Sequence, residues 1–307
     1  MTLDPQVERY RAERERLRVT PLYELTLDQA RAQDLRSIQD AAGEPEPVAA
    51  TEDLDARGIP VRVYRPDSTG TSPTAPVLVY FFGGGWTLGT IDTADAICRR
   101  LTNATGCVTV AVGYRLAPEH KFPAAVEDCH AATKWVAEQD WAGEIAVGGD
   151  SAGGNLAAAV ALLARDSGPD LVHQVLVYPN TDHGADTASL AEHTDRYLFN
   201  RHSVAWYWDN YLADPADGAN PLASPLRATD HSGLPPATVI TAGYDPLRDE
   251  GEAYARALAE AGVSTELTRF PGMAHGFFTM FGVLPAAEQA VAIAASRLRA
   301  AFGLPPG

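Results

Sequence analysis

The pattern of apolar and polar positions divides the chain into three stretches. Residues 4–17 and 26–40 hold few apolar side chains: Val7, Tyr10 and Leu17 make one thin stripe at helical spacing. Each run opens on a capping residue, Asp4 before Pro5 and Thr26 before Leu27, so two helices are expected, with too little apolar surface for a core of their own. After the acidic, proline-containing link 43–48 the pattern turns to strands. Residues 51–56 and 60–64, joined by a turn at Gly58, read as an antiparallel hairpin at a sheet edge, and 68–76 as a loop. The run from Pro76 to Phe82 is almost continuously apolar, as suits a strand covered on both faces.

From there short apolar runs alternate with amphipathic ones. Helices are expected over 92–102, 124–138, 153–165, 250–260 and 286–301, and strands over 108–112, 145–148, 173–178, 237–242 and from Ser264 to Phe270. Such alternation predicts an α/β fold, a mostly parallel sheet with helices on both faces. Between Tyr178 and Pro235 the rhythm breaks. Aromatic residues, polar turns and one helical pattern over 203–211 replace the strands. This insertion follows a strand at the end where open α/β sheets bind ligands, so together with the N-terminal helices it reads as a lid. The expected organisation is residues 1–46 as N-terminal cap helices and 47–307 as the main domain, with a cap insertion at about 181–230.

Charge narrows the choice of partners. The 307 residues carry 40 acidic and 24 basic side chains, a net charge of −16, which argues against nucleic acid and anionic membrane surfaces and favours a neutral substrate. No apolar run approaches the length of a membrane span, and Met1 to Val19 alternates arginine and glutamate without the apolar segment of a signal peptide. Cys98, Cys107 and Cys129 form no CxxC pair, so neither a metal site nor a disulfide framework is expected, and a reduced cytoplasmic setting fits.

Candidate chemistry centres on Gly149-Asp150-Ser151-Ala152-Gly153, lying between an apolar strand-like run and an alanine-rich helical one. A glycine-flanked serine between strand and helix is the arrangement of a nucleophile elbow, in which a tight turn lifts the hydroxyl above the sheet and the helix points its positive end at the reaction site. The pentapeptide alone is a permissive pattern. A serine nucleophile also needs a base and a group to orient that base, in the chain order serine, acid, histidine. His275 lies in the glycine-flanked segment Pro271 to Phe277, after the last strand-like run. The other histidines fall before the serine (His120, His130), in a strand (His173), in the insertion (His183, His193, His202) or in a turn (His231). Asp245 directly follows an apolar strand, at the sheet edge where Ser151 is expected. Asp249 and Glu250 compete with it, but at the start of the next helix they read as caps. Donors for an oxyanion are expected from Gly83 and Gly84, in Phe82-Gly83-Gly84-Gly85-Trp86, with the amide of Ala152.

Five motifs together, Gly83 to Trp86, Tyr114 to Glu119, Gly149 to Asn155, Asp245 to Glu250 and His275 to Phe277, resemble the hormone-sensitive-lipase-like (bacterial family IV) carboxylesterases from about residue 50 to the C-terminus. The resemblance implies an α/β-hydrolase sheet, a Ser151, Asp245 and His275 triad, an oxyanion hole of Gly83, Gly84 and Ala152, no cofactor, and a possible homodimer through the edge strand Ser264 to Phe270. Phe82 departs from the family pattern, which usually has histidine there. The substitution keeps the amide donors and places an apolar ring beside them.

The expected reaction is acyl transfer from a neutral ester of short to medium acyl chain. Phe82, Trp86, Tyr197, Phe199, Trp206, Tyr207 and Tyr211 are the candidate pocket residues. Amide, lactone or specialised deacetylation substrates on the same triad are the alternatives, as is a small-molecule binding protein without turnover.

Overall fold

The computed structural model describes residues 2–67 and 73–305, so the first five positions of the loop expected over 68–76 lie outside the described residues. Two helices come first, α1 (Pro5–Arg16) and α2 (Leu27–Ala42). The Asp4 side chain accepts from the Gln6 amide, and Thr26 and Gln29 form a reciprocal capping box, so both expected starts carry their side-chain caps. The strands and helices that follow are β1 (Ala50–Asp55), β2 (Pro60–Arg65), β3 (Ala75–Phe81), α3 (Ile91–Thr105), β4 (Val108–Val112), α4 (Ala124–Ala137), β5 (Ala142–Asp150), α5 (Ala152–Ser167) and β6 (His173–Val177). The inserted segment contains α6 (Ala188–Glu192), which periodicity does not reveal because it is barely one turn long, and α7 (Arg201–Tyr211). The chain ends with β7 (Ala237–Tyr244), α8 (Arg248–Glu260), β8 (Thr265–Ala274) and α9 (Pro285–Ala301).

Among the described residues the strands form one eight-stranded sheet in the order β1-β2-β4-β3-β5-β6-β7-β8. The pairs β1–β2 and β2–β4 are antiparallel and the rest are parallel. Every residue of β4 and β6 is buried, as strands covered by helices on both faces must be. The parallel strands all end at one edge, and Phe82, Ser151 and Asp245 follow β3, β5 and β7 there.

Two boundaries differ from expectation in ways that matter for that edge. The strand β8 runs four residues past Phe270, through Pro271 and Gly272, to Ala274. Proline is tolerated because β8 lies at the end of the sheet, where a missing N–H breaks no second ladder, and a register shift between Ala242 and Tyr244 absorbs the irregularity. The helix α8 begins at Arg248, so Asp249 and Glu250 lie inside its first turn and do not cap it. Their carboxylates reach outward: Asp249 accepts from the Ser189 amide at 2.8 Å, and Glu250 from the Thr181 amide at 2.7 Å. They tie the inserted segment to α8. Burial away from water pushes the Glu250 carboxyl up to about 8 despite those amides.

Candidate active site

The serine is held by backbone geometry. Ser151 leaves β5 with φ 56° and ψ −120°, a left-handed conformation that L-residues rarely adopt, and enters α5 at once. The flanking glycines are obligatory for steric reasons. A Cβ on Gly149 would stand 2.4 Å from the Gly153 backbone, and one on Gly153 would stand 1.9 Å from the Phe81 carbonyl oxygen. The Ser151 amide donates to the Val177 carbonyl at 2.8 Å, pinning the turn to the neighbouring strand.

Asp245 and His275 converge on this serine. His275 places Nε2 2.9 Å from Ser151 Oγ and Nδ1 2.7 Å from Asp245 Oδ2. Asp245 is fully buried, and its other oxygen accepts from the Leu247 amide at 2.8 Å, so the carboxylate is oriented from both sides. The imidazole lies between two rings, stacked on Phe199 at 4.1 Å and tilted against Tyr178 at 4.4 Å. Such an arrangement can take a proton from the serine and stabilise the imidazolium that results.

The glycine loop differs from expectation at one position. The Gly83 amide, expected to face an oxyanion, donates to Asp150 Oδ1 at 3.1 Å. A buried carboxylate needs donors, and Asp150 draws on this amide and on the Tyr80 hydroxyl at 2.8 Å. Burial pushes the Asp150 carboxyl up, and these two bonds act against the shift. Gly84 (φ 110°) and Gly85 (φ 57°) turn the chain beyond that anchor, and among the described residues their amides find no carbonyl or side-chain acceptor. The Ala152 amide, at the first position of α5, has no intrahelical acceptor. Tyr114 holds the loop from the other side: its hydroxyl donates to the Phe82 carbonyl at 2.7 Å, and its ring stacks on Phe82 at 4.3 Å. Asp150 and Tyr114 lie inside motifs the sequence displays, yet only the fold shows them to be the fasteners of this loop.

Ser151 and His275 open into a cavity of about 210 Å³. Among the candidate pocket residues, Phe82, Tyr197, Phe199, Trp206 and Tyr207 line it. Trp86 and Tyr211 do not. They stack on each other at 4.2 Å, fully buried, because Trp86 turns away from the loop into the core beneath it. The α2 helix supplies a wall that sequence reasoning missed, with Asp34, Ser37 and Ile38. Among the described residues, no group of three or more histidine, cysteine or acidic side chains is arranged to hold a metal ion.

A family model for the α/β-hydrolase fold matches residues 78–279. The chain belongs to this α/β-hydrolase family. The assignment agrees with the hormone-sensitive-lipase-like motifs. This α/β hydrolase is 44% identical over 263 residues to a carboxylic ester hydrolase of Mycobacterium tuberculosis, LipN, covering 80% of this chain and 69% of that one. It is 35% identical over 317 residues to an ethyl acetate hydrolase of Pseudomonas putida, covering 97% and 99% of the two chains. Among solved structures, a hyperthermophilic esterase from Pyrobaculum calidifontis superimposes with a TM-score of 0.90 at 41% identity, covering 98% of this hydrolase and 99% of that chain.

Proposed function

We propose that this α/β hydrolase cleaves neutral carboxylic esters of short to medium acyl chain by acyl transfer through Ser151. The observation that carries the reading is a single imidazole spanning the serine hydroxyl and a buried carboxylate, at 2.9 and 2.7 Å. Ser151 Oγ attacks the ester carbonyl carbon while His275 Nε2 takes its proton, and Asp245 stabilises the imidazolium. The negative charge on the carbonyl oxygen is met by the amides of Gly84, Gly85 and Ala152 and by the positive end of α5. Gly83 supports that hole through Asp150 rather than donating to it. His275 then gives the proton to the departing alkoxide. Water attacks the acyl-enzyme, His275 takes the water's proton, and the acid leaves as Ser151 regains its hydrogen.

Residues 1–46 and the insertion at about 181–230 act as the cap in this reading. Arg11 donates to Asp195 at 2.7 Å and Arg14 to the Tyr197 carbonyl at 2.9 Å, which joins the two segments over the cavity. Their aromatic side chains suit apolar acyl groups of limited length. A second copy pairs along β8, the edge strand, which also carries the exposed Leu267. The protein works in the reducing cytoplasm, a setting that suits three buried free thiols. Among the described residues, no helix is long and apolar enough to cross a membrane.

A nitrophenyl ester series of increasing acyl length, run beside amide and lactone analogues with Ser151→Ala as control, tests the reaction. The reading expects ester turnover that falls at long acyl chains and vanishes in the variant. Faster turnover of the amides or lactones would transfer the triad to that bond, and tight binding without turnover would make the protein a receptor.

A further inference from the structure

The cavity wall contributed by α2 carries an acidic group that the reaction does not use. Asp34 lines the same cavity as Ser151 and His275, yet its Oδ2 is sealed from solvent and, among the described residues, no atom donates to it. A buried acceptor without a donor costs roughly 1–3 kcal/mol, and more when charged, so its retention at a ligand cavity calls for a ligand that satisfies it. Burial, with the charge of Asp150 second, pushes this carboxyl up to about 7. Among the described residues, the titratable groups coupled to it are Asp150 at the end of β5, Tyr114 beyond β4 and Tyr207 on α7, none of which brings a positive charge, and His275 lines the same cavity. The two arginines lining the cavity are engaged elsewhere, Arg14 with the Tyr197 carbonyl and Arg196 with Glu24.

The helix that carries Asp34 is itself clamped. One turn earlier, Arg31 forks onto Glu119 at 2.7 and 2.8 Å and donates to the Thr87 and Ala117 carbonyls at 3.0 and 3.1 Å. This clamp fixes α2 to the segments around the glycine loop and so keeps Asp34 on the cavity wall. The net charge of −16 also draws cations toward the protein.

We infer that Asp34 is the counter-ion for a protonated amine carried by the substrate, which extends the substrate range from neutral esters to amino esters. The inference rests on the ester-hydrolase reading above. The amine donates its N–H to the carboxylate inside the cavity, where exclusion of water strengthens the pair. No covalent step is added.

The test compares esters that differ only in replacing a protonated nitrogen by carbon. Dimethylaminopropyl acetate is set against isohexyl acetate for an amine on the alcohol side, and ethyl dimethylaminobutanoate against ethyl methylhexanoate for one on the acyl side. At pH 8 the carboxyl is ionised, while an aliphatic amine, with a pKa near about 10, remains protonated. The wild-type protein should favour the amino ester of at least one pair by about tenfold in kcat/KM, the effect of one charge-assisted hydrogen bond, roughly 1.4 kcal/mol. The preference should shrink below pH 7, and both Asp34→Asn and Asp34→Ser should bring it close to one. Preference for the carbon isostere in both pairs, or a preference for the amine that survives both variants, would overturn the inference. Should a variant fail to fold, the wild-type ratio and its pH dependence still decide. Binding of dimethylaminopropanol needs no turnover. A rise in melting temperature that the wild type shows and the variants lack supports the inference even if no ester is cleaved, and no rise in a protein that does cleave esters counts against it alone.

Discussion

The floor and the roof of the cavity are built by different means. The floor is the edge of the sheet, where Ser151, the glycine loop and Asp245 are placed by backbone: a strained φ, two glycines with no room for a Cβ, and amides bonded to neighbouring strands. The roof, α1, α2 and the inserted segment, is held largely by long side chains. Arg11 reaches Asp195, Arg14 the Tyr197 carbonyl, Arg31 Glu119, and Arg196 Glu24. Bonds of the first kind fix positions tightly and tolerate almost no substitution, whereas the second are partly exposed pairs worth about 1 kcal/mol or less each. The contrast assigns chemistry to the floor and selection of the substrate to the roof.

The strongest way to break this division is at the floor. Ser151→Ala should lower kcat by about 10⁴-fold or more while leaving the melting temperature nearly unchanged, since it removes one small hydroxyl and keeps the fold. A variant that kept a tenth of the activity would place the chemistry elsewhere. Asp150→Leu should be the next largest. It frees the Gly83 amide and the Tyr80 hydroxyl, lets the glycine loop drift, and should cost about 10²-fold in kcat with a much smaller change in KM. A purely structural role for Asp150 would lower the melting temperature and spare kcat in the molecules that remain folded.

Roof substitutions should act more gently and on other quantities. Because the folded-state pKa of Asp34 lies above its ordinary value, ionising it costs the folded protein. That cost is absent where the carboxyl is protonated in both states, grows from about pH 4 to about pH 7, and is constant above. Asp34→Asn removes it, so the melting temperature of the variant should exceed that of the wild type by a few kelvin at pH 8 and by much less at pH 4. Equal gaps at the two pH values would show that the carboxyl is not shielded. Arg31→Ala should raise KM several-fold with little change in kcat, by loosening α2. The smallest effect is expected of Phe82→His, which keeps the amides and Tyr114 but exchanges the ring lining the cavity. It should change the ratio of rates on bulky and small esters by a few-fold, and identical ratios would remove Phe82 from selection.

The same division explains what could be read from the chain. The strands, the serine turn and the acid each leave a local mark: an apolar run of five to eight residues, a glycine pair, a carboxylate after a strand. The role of Gly83 is hidden in the sequence because the partner that claims its amide, Asp150, is 67 positions away and recognisable only once β3 and β5 lie side by side. Trp86 and Tyr211 look like any pocket aromatics until their mutual stacking is seen. Asp249 and Glu250 resemble helix caps because acidic residues are common in first turns, and nothing local reveals their bonds to Thr181 and Ser189. Asp34 sits in a polar helix with no motif around it. Its place on the cavity wall depends on how α2 is clamped, which is a property of the assembled roof.

Acyl transfer through this triad leaves the acyl group on Ser151 Oγ before water removes it. Intact-mass measurement of protein quenched in acid during turnover of a nitrophenyl ester tests this most directly. A transient species heavier by one acyl group is expected, mapped by peptide fragmentation to Ser151 and absent from Ser151→Ala. An acyl adduct on another residue, or ester turnover in Ser151→Ala at the wild-type rate, would contradict it.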